Sequence, residues 1–153
     1  MKVTIYFGSE TGNTEMLADD LAKLLGSSSE VEVHDMATAD PTQDEPGRLW
    51  LILSSTYGDG ELPSSAQPFA AKLKAARPDL SGRRYAVFGL GSSEYPTTFG
   101  AGSGRMDALL ASLGAKRVGE RYVHDALGPD LAEDAAADWL AGIVRIVEQD
   151  GRM

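Results

Sequence analysis

Apolar residues recur along this chain with two alternating periods. Residues 2–7 read as a strand, and beyond a polar stretch Met16, Leu17, Leu21, Leu24 and Leu25 recur at helical spacing. Thr11 or Asn13 can cap that helix, and Gly26 ends it. Residues 30–35 alternate as a half-exposed strand does, and 37–48, rich in Ala, Asp, Pro and Thr, read as a loop. Residues 49–53 are continuously apolar, the pattern of a central strand buried on both faces. A helix follows over 65–76 with Pro68 in its first turn, then a strand over 83–88. The next helix, 103–113, carries Met106, Leu109, Leu110 and Leu113 and is closed by Gly114. A strand of mixed polarity over 117–123 precedes a last helix over 130–148, whose apolar set is Leu131, Trp139, Leu140, Ile143, Val144 and Val147.

Strands thus alternate with helices from end to end. That pattern predicts an α/β fold, a doubly wound, five-stranded parallel sheet with helices on both faces, and the order expected for it is 2-1-3-4-5. Residues 1–153 are expected to form a single domain, since no repeat, linker or low-complexity segment interrupts them. In such sheets ligands bind beyond the carboxyl ends of the strands, where the winding reverses, here between the first and third strands.

Composition narrows the chemistry. Cysteine is absent, which removes disulfides, thiolate nucleophiles and Cys-ligated metals or clusters, so any redox chemistry needs a bound cofactor. The two histidines, His34 and His124, are far apart in sequence and make a poor start for a metal site or a catalytic triad. The net charge of −9, from 14 basic and 23 acidic residues, repels nucleic acid and anionic membranes and attracts a basic protein partner. The bland alternative is acidity that serves solubility alone. No apolar run reaches 18 residues and the N-terminus opens directly into a strand pattern, so a cytoplasmic location is expected.

Three loops stand where the sheet would place a ligand. The first is Ser9-Glu10-Thr11-Gly12-Asn13-Thr14, after the first strand. Ser9, Thr11 and Thr14 offer hydroxyls, Gly12 permits close backbone approach, and the N–H groups at the helix start favour an anion. It has no Lys or Arg, lacks the Gly-Lys of a triphosphate-binding loop and has too few glycines for a dinucleotide fingerprint, so a terminal monophosphate fits it best. A plain capped helix start is the competing reading. The second loop is Ser55-Thr56-Tyr57-Gly58-Asp59-Gly60, and the third is Gly89-Leu90-Gly91-Ser92-Ser93-Glu94-Tyr95. Tyr57 and Tyr95 sit among small residues that cannot pack them, which suits them to stack on a flat ring. Gly58 and Gly60 let main-chain groups reach the ring edge. Two surface tyrosines are the alternative. Together the loops suit flavin mononucleotide (FMN). Asp59, Glu61, Glu94 and Glu10 would surround its rim, where negative charge lowers the reduction potential.

These motifs resemble those of flavodoxin-like proteins. Thr11-Gly12-Asn13-Thr14, Ser55-Thr56-Tyr57-Gly58-Asp59-Gly60 and Phe88-Gly89-Leu90-Gly91-Ser92-Ser93-Glu94-Tyr95-Pro96 look like the family's FMN-binding loops. The likeness is to the short-chain MioC-type flavodoxins and to the FMN module of sulfite reductase flavoprotein and other diflavin reductases, and it runs on through residues 106–115. It implies noncovalent FMN and one-electron transfer between redox proteins, with a reductase as donor and an acceptor bearing a basic docking face. By the same likeness residues 9–14 hold the phosphate, Tyr57 and Tyr95 cover the two faces of the ring, and Gly58 presents a backbone group to the flavin N5. Leu90, Gly91 and Phe99 complete the implied site. The chain departs from the family's pattern in Ser92, where Asp or Asn is frequent, and in Phe99, which follows the stacking tyrosine by four residues rather than three. The stretch 95–105 is about two residues longer than usual, with a Gly-Ser-rich end at 100–104.

A monomeric electron carrier, rather than a turnover enzyme, is the expectation. A flavin-dependent quinone or nitro reductase would need an open pocket over the ring, and NADH turnover by the isolated protein separates the two. An FMN domain of a longer diflavin reductase is a third reading, which the ending at Met153 disfavours. A signalling receiver domain needs clustered aspartates after the first strand, where Gly8, Ser9 and Glu10 stand.

Overall fold

The computed structural model describes residues 1–8, 13–26, 29–55, 62–91 and 100–150, with Asn13 and Asp150 described by backbone alone. Six strands and four helices appear among them: β1 (Lys2–Gly8), α1 (Asn13–Leu25), β2 (Glu30–Asp35), β3 (Leu49–Ser55), α2 (Gln67–Ala76), β4 (Arg84–Gly91), α3 (Ala101–Ser112), β5 (Lys116–Arg117), β6 (Tyr122–Asp125) and α4 (Ala132–Asp150). All pairings are parallel, in the order β2-β1-β3-β4-β5, and β6 also pairs with β4. The predicted winding is therefore present.

β3 explains itself once both faces are considered. Leu49, Leu51 and Leu53 pack with Val3, Ile5, Phe7 and the inner faces of α1 and α4. Trp50 and Ile52 point the other way, into a cluster with Tyr6, Phe69, Tyr85 and Met106 under α2 and α3. A strand covered on both faces has no reason to alternate in polarity. β2, on the edge, alternates between exposed and half-buried positions as its sequence predicts.

Three expected core positions are corrected. Met16, Leu24 and Leu131 are 70%, 59% and 60% exposed. The buried stripe of α1 is Thr14, Leu17, Ala18, Leu21 and Leu25. At 100° per residue Met16 lies opposite that stripe and Leu24 beyond its edge. Leu131 precedes the first turn of α4. The expected fifth strand is also two strands, β5 and β6, broken around Gly119 at φ 68°. Both pairs lie beside β4, at its two ends. The Gly-Ser-rich stretch 100–104 is not an extended loop. Gly100, at φ 73°, caps α3, and Ala101 to Gly104 form its first turn.

The segment read as a loop at 37–48 holds a buried polar cage that periodicity does not reveal. Pro41–Gln43 form a short 3-10 turn capped by Asp40. Arg48 is fully buried at the amino end of the sheet. Its Nε donates to Thr4 Oγ1 at 2.7 Å, and its Nη2 donates to the carbonyls of Val3 at 2.5 Å and Glu30 at 3.2 Å. Carboxylates of Glu30, Glu32, Asp44 and Glu45 lie within 3.4–3.9 Å of the guanidinium. Asp44 also accepts from Trp50 Nε1 at 2.6 Å and Tyr6 Oη at 3.2 Å.

Candidate functional site

The carboxyl ends of the central strands finish level with one another. Gly8 of β1 pairs with Ser54 of β3, Ser54 pairs with Gly89 of β4, and Ser55 pairs with Leu90. β6 joins the same edge, with His124 beside Leu90 and Asp125 beside Gly91. The three sequence loops therefore leave one rim of the sheet. Gly8 stands where no side chain fits: a Cβ would lie 2.8 Å from Ala66 Cβ and 2.9 Å from Met36 Sδ.

Of the sequence-predicted site residues, five fall among those described. Asn13 opens α1. Thr14 is fully buried in the first turn of that helix. Ser55 ends β3 half-buried, and Leu90 and Gly91 end β4, also half-buried. Ser54 Oγ, buried, donates to the Ser55 carbonyl at 3.1 Å, and the Gly91 carbonyl accepts from Ala126 N–H at 2.8 Å. Ser9, Glu10, Thr11, Gly12, Thr56, Tyr57, Gly58, Asp59, Gly60, Tyr95 and Phe99 lie outside the described residues, as do Glu61 and Glu94.

Thr14 carries the chemical information. Its Oγ1 is buried and has no hydrogen-bond partner among the described residues. A buried hydroxyl left unpaired costs about 1–3 kcal/mol, so native structures rarely keep one without a reason. It sits at the N-terminus of a 13-residue helix whose first turn carries Glu15 and no basic residue. The first N–H groups of a helix lack intrahelical acceptors, and the helix dipole favours negative charge there. A hydroxyl donor held at that point suits a phosphate oxygen, so the residues present fit FMN.

Burial holds the Tyr6 and Tyr85 hydroxyls far above the ordinary tyrosine range, with added pressure from the Asp44 and Asp107 carboxylates. Both belong to the core under α2 and α3. His124 is buried with Nε2 2.9 Å from the Asp130 carbonyl, which ties β6 to the start of α4. Periodicity missed the contribution of β6 to this rim, because the sequence read 117–123 as one strand and ended it before His124.

The sequence matches the family model described as Flavodoxin over residues 5–139. It is 34% identical to protein MioC of Escherichia coli (strain K12) over 147 residues, which cover 95% of this chain and 98% of that one. It is 36% identical to the sulfite reductase [NADPH] flavoprotein alpha-component of Bacillus subtilis (strain 168) over 98% of this chain, but that span is only 24% of the larger protein. A mutant of flavodoxin from Pseudomonas aeruginosa superposes with a TM-score of 0.87 at 32% identity, covering 97% of this chain and 99% of that one. With the level strand ends and the unpaired donor at the head of α1, these likenesses settle the family: the chain belongs to the flavodoxins, FMN-binding proteins of electron transport.

Proposed function

We propose that this chain is a single-domain, monomeric shuttle, holding FMN at the carboxyl rim of β1, β3 and β4 and passing electrons from a reductase to an acceptor with a basic docking face. The observation that carries the placement is the buried, unpartnered Thr14 hydroxyl at the start of α1. Residues 9–14 then hold the phosphate with neutral donors and helix N–H groups. Tyr57 and Tyr95 cover the ring faces, the backbone at Gly58 meets its edge, and Leu90, Gly91 and Phe99 complete the site.

FMN supplies the one-electron chemistry when bound. The chain's own residues bind it, orient it and keep water from the ring faces. Acidic side chains at Glu10, Asp59, Glu61 and Glu94 make electron addition harder and attract a positively charged partner. Among the described residues no helix is long and apolar enough to cross a membrane, and a cytoplasmic site of action is part of the proposal.

The purified protein is expected to be yellow and to release about one FMN per chain on denaturation. Extracting FAD instead, or finding no uptake of FMN by the apoprotein, would overturn the assignment. Within the ring site, Tyr95→Ala is expected to weaken FMN binding more than Phe99→Ala, by on the order of 1 kcal/mol of lost stacking. Equal affinities in a fluorescence titration would count against Tyr95 as a stacking face.

A further inference from the structure

The Gly-Ser-rich stretch 100–104 has a partner. Arg121, just before β6, lays its guanidinium along the first turn of α3. Its Nη1 donates to the Gly100 carbonyl at 2.9 Å and to Ser103 Oγ at 2.9 Å. Ser103, fully buried, donates in turn to the Gly100 carbonyl at 3.1 Å. A Cβ on Gly104 would sit 3.5 Å from the guanidinium carbon, in ordinary van der Waals contact, so the group lies close against this turn of α3. No carboxylate among the described residues pairs with Arg121; its described acceptors are a carbonyl and a hydroxyl.

The same cluster reaches both ends of the third loop. Gly100 directly follows residues 92–99, and Gly89 and Gly91 lie just before them. The space where Gly89 would carry a side chain is filled by Ser103, whose Cβ would be 2.7 Å from a Cβ there. Val123, two residues on from Arg121, fills the corresponding space at Gly100, 2.9 Å from a would-be Cβ, where φ is also 73°. The β4 exit and the α3 entry are therefore set against one another by Ser103, Val123 and Arg121. A half-buried cation whose acceptors among the described residues are neutral is an uneconomical way to cap a helix. It is well suited to fixing where a loop enters and leaves.

We propose that Arg121 is a positioning residue for the flavin: through Ser103 and Gly100 it fixes the two ends of the loop that carries Tyr95, and so sets FMN affinity. The proposal rests on the reading that Tyr95 covers the ring. A polar bracket at a helix start could also be purely structural, so the test separates stability from ligand geometry.

Apoproteins of the parent, Arg121→Ala, Arg121→Lys, Ser103→Ala and the remote core variant Leu73→Ala are titrated with FMN well below their melting temperatures, and the visible circular dichroism of the bound flavin is recorded. Arg121→Ala is expected to weaken FMN binding about tenfold and to alter the dichroism. Arg121→Lys should recover part of both by keeping one donor, and Ser103→Ala should move them in the same direction by a smaller factor. Leu73→Ala, which destabilises the α2 face, should leave affinity and dichroism unchanged. Parental affinity and dichroism in Arg121→Ala would overturn the proposal. If that variant does not fold, parental values in both Arg121→Lys and Ser103→Ala would overturn it as well. A parent apoprotein that takes up no FMN would refute the FMN assignment itself, a distinct result.

Discussion

Two buried polar side chains, one at each end of this sheet, stand in opposite circumstances. At the amino end the buried cation Arg48 is surrounded by partners: a hydroxyl, two carbonyls and four carboxylates within 3.9 Å. At the carboxyl end the buried hydroxyl of Thr14 has no partner among the described residues. A satisfied network ties chain segments together and leaves nothing over for a ligand. An unsatisfied donor costs stability until something arrives to accept from it. The difference supports reading one end as scaffold and the other as the candidate site, and it can be broken from either side.

The largest effect is expected at the scaffold. Arg48→Met removes the donor that Thr4 Oγ1 and the Val3 carbonyl share, and leaves the carboxylate of Asp44, which is mostly buried, without its nearest cation. Removing one member of a buried charged network costs about 3 kcal/mol or more. Urea unfolding should show that loss, while the FMN affinity of the folded fraction stays within a factor of two. A variant as stable as the parent would mean the cage is incidental.

At the site the sign reverses. Thr14→Val keeps the shape and deletes the unpaired hydroxyl. The apoprotein should be as stable as the parent or up to about 1 kcal/mol more stable, because a buried unsatisfied group has gone. FMN binding should weaken by about tenfold, equivalent to ~1.4 kcal/mol, because the phosphate loses a donor. Differential scanning of apo and FMN-loaded protein reads both signs in one experiment. A loss of apo stability without a loss of affinity would place Thr14 with the scaffold.

This comparison also explains what sequence could and could not disclose. The candidate site was proposed from composition: hydroxyls, glycines and tyrosines cluster after three apolar runs, and few packed cores would tolerate them there, but only the strand ends that carry these loops are among the described residues. The parallel, doubly wound sheet followed from alternation, which by itself does not choose among the strand orders such sheets adopt. The scaffold end was invisible, because Arg48 closes a polar stretch and nothing local says that the fold swallows it. Met16, Leu24 and Leu131 misled for a related reason: apolar residues can stand on a helix surface, and only packing tells which side of a stripe is covered. The break at Gly119 and the helical start at Ala101 depend on positive φ angles at Gly119 and Gly100, and a glycine in sequence permits such an angle without requiring it.

The smallest effect, and the one that tests function most directly, concerns the acids at the two ends. At the amino end Glu32 lies 3.4 Å from Arg48, and Glu45 lies 2.7 Å from Lys2, so each has a cation beside it. At the carboxyl end Asp59, Glu61 and Glu94 stand in loops with no Lys or Arg within them, in a chain of net charge −9. Charge near a docking site steers a partner of opposite sign, and salt screens that attraction beyond about 10 Å at 0.1 M. Reduction of a basic cytochrome by the reduced protein, followed by stopped flow, should therefore slow as ionic strength rises. Neutralising Asp59, Glu61 and Glu94 together should lower the rate at low salt and flatten its salt dependence. Neutralising Glu32 and Glu45, which changes net charge by nearly as much, should lower stability slightly and leave the salt slope almost untouched. If the two sets shift the slope equally, the partner responds to net charge alone; if neither does, it docks away from the flavin rim.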